Sequence, residues 1–149
     1  MNQYTLSVLA VFGGVFLAAQ AGLNANLGVL LKNPLLASVV AFFSSTLFAC
    51  AFFIFSGKVG PSWFEIKAIP IYLWFAGGLL SVLGICLYYF TIPKLGISTM
   101  ISLGLLGQLV FSAIAGHFGW LNLPLEPMTI KRAIGIFAMC TGILMINLK

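Results

Sequence analysis

The chain has 149 residues, 62% of them hydrophobic and only 6% charged, with a formal net charge of +5 and a mean hydropathy of +1.16. An average soluble domain carries about 25% charged residues, so a soluble globular fold is excluded and residues 1–149 read as a single integral membrane domain. The seven Lys and Arg residues lie singly between apolar runs, apart from Lys131 and Arg132; a nucleic-acid surface needs clustered cations, so these are interfacial anchors and topology signals.

Five apolar runs are long enough, as helices rising about 1.5 Å per residue, to cross a hydrocarbon core of about 30 Å. The first, Tyr4 to Leu31, starts without Lys or Arg and continues well past the roughly 7–15 residues of a signal-peptide core, so it is expected to stay as a span. Within it, "QAGLNANLG" places an amide at Gln20, Asn24 and Asn26, and "KNP" (Lys32 to Pro34) closes it with a charge and a proline. The second run is Leu35 to Ser56. The segment Ser56 to Pro70 then sets Trp63 and Phe64 beside Glu65 and Lys67, as expected of a loop at the headgroup level. The third run, Pro70 to Thr91, is closed by "IPKLG" (Ile92 to Gly96), read as a tight turn. The fourth is Leu95 to Gly116. A second interfacial loop, His117 to Arg132, leads into the fifth run, Ile130 to Leu148. Short turns force consecutive helices to run antiparallel, which predicts an all-α membrane protein: a bundle of five transmembrane helices with its termini on opposite sides.

Cys50, Cys86 and Cys140 each fall inside an apolar run with no CxxC or Cys/His spacing, so neither a disulfide, a metal site nor another cofactor is expected. His117 ends the fourth run beside Phe118 and Trp120; an imidazole can titrate near neutral pH, but this position reads as an anchor.

The charges hardly choose an orientation. Lys58, Lys67, Lys131 and Arg132 fall on the N-terminal side, and Lys32, Lys94 and Lys149 on the other. The positive-inside rule compares those sums, and they differ by one residue. Either the N-terminus is weakly held inside, or the chain inserts both ways and pairs with an inverted copy of itself, the inverted-repeat arrangement of many secondary transporters.

Helical spacing sorts the polar residues into stripes. Gln20 and Asn24 share a face with Gly13, Leu17 and Gly28, while Asn26 points elsewhere. The fourth run offers Gly104, Gln108 and Ser112, and the third Gly77, Ser81, Gly84 and Tyr88. Two readings stand side by side. Amides can bond across helices as structural glue, worth about 0.6–2 kcal/mol each in membranes. Alternatively, Gln20, Asn24, Gln108, Ser112 and Tyr88 line a midplane cavity and offer neutral donors and acceptors to a solute.

Taken in order, Gln20, Asn24, "LG" at Leu27 and Gly28, Pro34, "GQLVFSAIAGHFG" from Gly107 and "RAIGIFAMCTGILMIN" from Arg132 resemble the small five-helix, YdcZ-type branch of the drug/metabolite transporter superfamily. The resemblance covers nearly the whole chain. It implies a multi-pass exporter of the bacterial inner membrane whose short members work as antiparallel dimers, by homodimerisation or by pairing with an oppositely oriented homologue. The fifth run is also similar to the last helix of small multidrug resistance proteins, where two glycines seven apart form a dimer seam; here these are Gly135 and Gly142, on one helical face. A tight contact within the chain would use the same face. One departure stands out. The family tends to carry an aspartate directly before His-Phe-Gly, where this chain has Gly116, so an acidic role there is not carried over.

Glu65 and Glu126 are the only acids, and both lie in loops. The resemblance to small multidrug resistance proteins therefore stops short of their membrane-embedded glutamate, and exchange of a permanent cation for protons at a carboxylate is disfavoured. A neutral, zwitterionic or amphiphilic solute fits the side chains better. The expected function is small-solute transport, as an exporter working by alternating access in an antiparallel dimer. The alternative is a non-transporting accessory subunit, or half of a heterodimeric transporter. An intramembrane enzyme is not expected, since one histidine at a helix end and no buried acid supply neither an activated nucleophile nor a metal centre.

Overall fold

The structure, a computed structural model, describes residues 2–122 and 124–147. Leu148, at the end of the fifth predicted run, and Lys149, counted in the charge balance, lie outside them. Among the described residues there are helices and no strands: α1 (Gln3–Leu30), α2 (Pro34–Phe55), α3 (Trp63–Ala68), α4 (Ile71–Leu95), α5 (Ile97–Phe118) and α6 (Ile130–Asn147). All but α3 are long and apolar enough to span a membrane. The chain forms two units, one reaching Lys94 and the other starting at Leu95.

In the first unit, α1 and α2 close into a hairpin. Asn33 stops α1 and starts α2: its Oδ1 accepts the N–H groups of Leu35 and Leu36 at 3.0 and 3.1 Å, and Pro34, which has no N–H to satisfy, takes the first helical position. Lys32 turns the chain through φ +53°. The seam that follows is made of small residues, Ala21, Ala25 and Gly28 against Ala37, Ser38 and Ala41, all buried. Spacings of four and three keep the α1 set on one face. A Cβ on Gly28 would stand 3.4 Å from Pro34 Cα and 3.5 Å from Ala37 Cβ, so backbone approach here depends on glycine. Such seams replace the hydrophobic effect as the source of helix association in lipid. The large side chains point the other way: Phe16, Leu23, Phe43 and Phe48 are exposed, as suits a surface solvated by hydrocarbon.

The loop expected between the second and third runs contains a helix. In α3, Ser62 accepts the Glu65 N–H, and the Ser62 N–H and hydroxyl both reach Glu65 Oε2, at 2.7 and 2.8 Å. This capping box makes six residues helical where composition indicated a loop. Those same bonds, the backbone one first, hold the Glu65 carboxyl below its usual range. Lys67 lies over the Trp63 ring, 5.5 Å from its centroid.

A second correction concerns "IPKLG". The helix does not end at Thr91; α4 continues through Pro93 to Leu95. Proline sits within one turn of the helix end, where the N–H it lacks removes a single bond, and spanning helices tolerate this. Gly96, at φ +86°, makes the turn instead. α4 meets α1 and α2 through side chains rather than by close backbone approach: Ser38 Oγ lies 3.3 Å from Cys86 Sγ, and Tyr89 and Ile92 are buried.

In the second unit, α5 and α6 pack together with Ala115 and Ile143 buried. Asn147 Nδ2 donates to Ser102 Oγ at 3.0 Å and to the Ile143 carbonyl at 2.8 Å. Gly119, at φ +63°, caps α5, and Trp120 stacks on Phe118 at 5.9 Å. The chain then folds back: the Glu126 N–H donates to the Gly116 carbonyl at 2.8 Å, and the Met128 N–H to His117 Nδ1 at 3.1 Å. His117 packs edge-on against Phe118 at 4.9 Å, so the expected anchor also holds the loop.

Candidate functional site

Gln20 and Asn24 lie one turn apart on α1, next to the buried Ala21 and Ala25, and both are half-buried. From α4, Tyr89 reaches their side of the unit. Its side chain is 1% exposed, the Asn24 and Gln20 amides are its polar neighbours, and its hydroxyl closes no hydrogen bond of good geometry among the described residues. A buried hydroxyl in that state costs about 1–3 kcal/mol, and a protein that keeps one leaves hydrogen-bonding capacity where another group can use it. α4 reaches the two amides through the Tyr89 side chain rather than by close backbone approach. The result is a neutral polar patch in an apolar wall, able to donate through two amides and a phenol and to accept through their oxygens.

The third-run stripe carries Tyr88, and the next residue is a second tyrosine. Tyr88 is half-buried, whereas Tyr89 is the buried one and the partner of the α1 amides. Nothing in the Tyr-Tyr pair distinguishes them by type. The burial of Tyr89 is signalled by its spacing from Cys86 and Ile92, three residues to either side on the face turned to α1 and α2.

Gln108 and Ser112 belong to the second unit, on α5; both are exposed, and the Ser112 hydroxyl donates to the Leu109 carbonyl at 3.0 Å. Ser112 also lines a groove of about 310 Å³ between α5 and α6. Its mouth carries Arg132 and Glu126, paired through Nη2 and Oε2. Gly116 and Gly135 form part of its wall, and a Cβ on Gly116 would meet Glu126 Cβ at 3.5 Å and its Oε2 at 3.9 Å. An acid is therefore present beside position 116 after all, brought there from the loop. Among the described residues nothing lies within 4 Å of where a Cβ would stand on Gly135 or Gly142. Among the described residues no cluster of His, Cys, Asp or Glu could hold a metal ion.

Five apolar spans, with neutral amides inside them and every acid outside them, are the features of a multi-pass membrane protein. The chain belongs to the family described as "Putative inner membrane exporter, YdcZ", whose model matches residues 5–145. It is accordingly an inner-membrane protein from a family of exporters rather than of enzymes. No curated protein and no solved structure matches it.

Proposed function

We propose that the protein exports a small neutral, zwitterionic or amphiphilic solute by alternating access, as an antiparallel dimer, and that Gln20, Asn24 and Tyr89 bind the solute. The observation that carries this reading is the buried Tyr89 hydroxyl, beside two amides and short of a well-formed hydrogen bond, in a chain whose spans contain no acid. A permanent cation would find no countercharge at that depth, whereas a hydroxyl, amide or carbonyl on a solute would bond the Tyr89 hydroxyl and the two amides. Gln108 and Tyr88 are assigned no direct contact here. The near-zero charge bias supports insertion in both orientations, and the open faces of Gly135 and Gly142 support their use between two copies.

Two measurements test this. Paired C-terminal reporters, one active only in the cytoplasm and one only outside it, should both be active, with the ratio tipped by Lys131→Ala; activity of one reporter alone would exclude an inverted homodimer. Purified protein in liposomes should release at least one of a panel of radiolabelled neutral and zwitterionic solutes, and Gln20→Ala should abolish release without loss of folded protein. Flux that survives Gln20→Ala and Tyr89→Phe would remove the site assignment, and absence of flux until an oppositely oriented homologue is added would make the chain half of a heterodimer.

A further inference from the structure

The α5–α6 groove plays no part in the site proposed on α1 and α4, and its chemistry differs. Its walls are apolar, with Leu109 and Ala113 on α5 facing Ile136 and Met139 on α6, while the mouth holds one full positive and one full negative charge. Arg132 and Glu126 remain 46% and 57% exposed although paired, so both present hydrogen-bonding capacity outward. Their contact uses one guanidinium N–H and one carboxylate oxygen; four further N–H groups and a second oxygen belong to the same side chains. From Arg132 to Met139 is two turns of helix, so the apolar part of the groove runs about 10 Å into the span from the charged mouth.

We propose that this groove is a binding site for a zwitterionic amphiphile, whose anionic group bonds Arg132, whose ammonium group bonds Glu126, and whose chain lies along Leu109, Ile136 and Met139. The sign pattern decides the class. A purely anionic head on Arg132 would lie beside the Glu126 carboxylate, and a purely cationic one on Glu126 would lie beside the guanidinium. A head with both charges a few bonds apart is attracted to each and repelled by neither. An ammonium that still carries N–H groups fits Glu126 better than a quaternary one, because it donates a charge-assisted hydrogen bond. The position of the mouth, at the start of α6 next to Lys131, matches the headgroup level of a bilayer. A membrane lipid and a free single-chain amphiphile share this chemistry; the test uses the lipid as the probe and its single-chain form as the competitor.

The test is retention of defined lipids by the full-length protein in detergent, read by native mass spectrometry with phosphatidylethanolamine, phosphatidylcholine and phosphatidylglycerol of identical chains. Phosphatidylethanolamine should be retained about fivefold over the other two, the effect of roughly one additional net hydrogen bond, and Glu126→Gln and Arg132→Gln should each erase that preference. Met139→Trp, which fills the groove and leaves both charges, should lower retention of phosphatidylethanolamine and keep the protein folded even if a charge variant does not. Competition by lysophosphatidylethanolamine but not by glycerophosphoethanolamine supports a site that needs the chain; competition by both would place the recognition in the headgroup alone and overturn the apolar half of the proposal. Equal retention of the three lipids, or a preference that survives both charge variants, would reduce Glu126–Arg132 to a latch that pins the loop.

Discussion

The two units meet the same problem, polar groups in an apolar solvent, with different means. The first buries neutral groups between helices: Tyr89, Ser38 and the Gln20 and Asn24 amides lie against a seam of alanine and glycine. The second also pairs neutral groups between its helices, Asn147 with Ser102, but adds a charged pair at a helix end, where Arg132 and Glu126 stay half exposed at the mouth of an open groove. The difference teaches that depth selects chemistry. A neutral amide or phenol left short of a partner costs a few kcal/mol at most, and a full charge at the same depth costs far more unless it is paired.

If the first unit is the closed one, overpacking should separate the units most clearly. Gly28→Leu, which drives a side chain into Pro34 and Ala37, should lower Tm in detergent by on the order of 5–10 °C. Gly107→Leu, with nothing within 4 Å of its Cβ, should leave Tm unchanged. Equal effects would mean that the seam is no tighter than an exposed helix face.

Tyr89→Phe tests what the buried hydroxyl does. It should leave stability unchanged or raise it by up to about 1 kcal/mol, since it removes an unpaired polar atom, while reducing solute release in liposomes about tenfold, the effect of a lost hydrogen bond to a bound group. A clear loss of stability would instead show that the phenol bonds the α1 amides as glue. In the second unit Asn147→Ala, which removes the bond to Ser102, should cost about 0.6–1.7 kcal/mol, measured by thermal or chemical unfolding in detergent.

The smallest effect is at α3. Because bonds from Ser62 lower the Glu65 pKa in the folded chain, the cap contributes above the carboxyl's ordinary range and is lost as pH falls through the lowered folded value. Titration followed by NMR of the Glu65 side chain should give a midpoint below the usual one, and Ser62→Ala should return it upward.

Span number and approximate position were legible because hydrophobic length is a one-dimensional property: a run either matches the thickness of the bilayer or it does not. What depends on contact was less legible. "IPKLG" looked like a stop because proline and glycine both punctuate a chain, yet only Gly96 turns it, and Pro93 lies in a last turn that tolerates it. The Ser62–Glu65 box was readable as S-x-x-E but stood in a segment whose composition said loop. Gln20 and Asn24 are visible as amides out of place, whereas which of Tyr88 and Tyr89 is buried is set by how α4 is rotated against its neighbours. Glu126 was correctly placed in a loop, and only the fold shows that the loop brings it over Gly116.

The α1–α2 hairpin has a consequence for the order of biogenesis. Its seam and its Asn33 turn use residues close together in the chain, so the first two spans can pair as soon as both have left the ribosome. Tyr89 arrives only with the next span, and at about 5–20 residues per second Gln20 and Asn24 face lipid or the insertion machinery for several seconds without it. A carboxylate or ammonium at those positions would resist entering the bilayer throughout that wait. Amides can tolerate it, which gives the opening helix a reason to be polar without being charged that applies before the protein has folded.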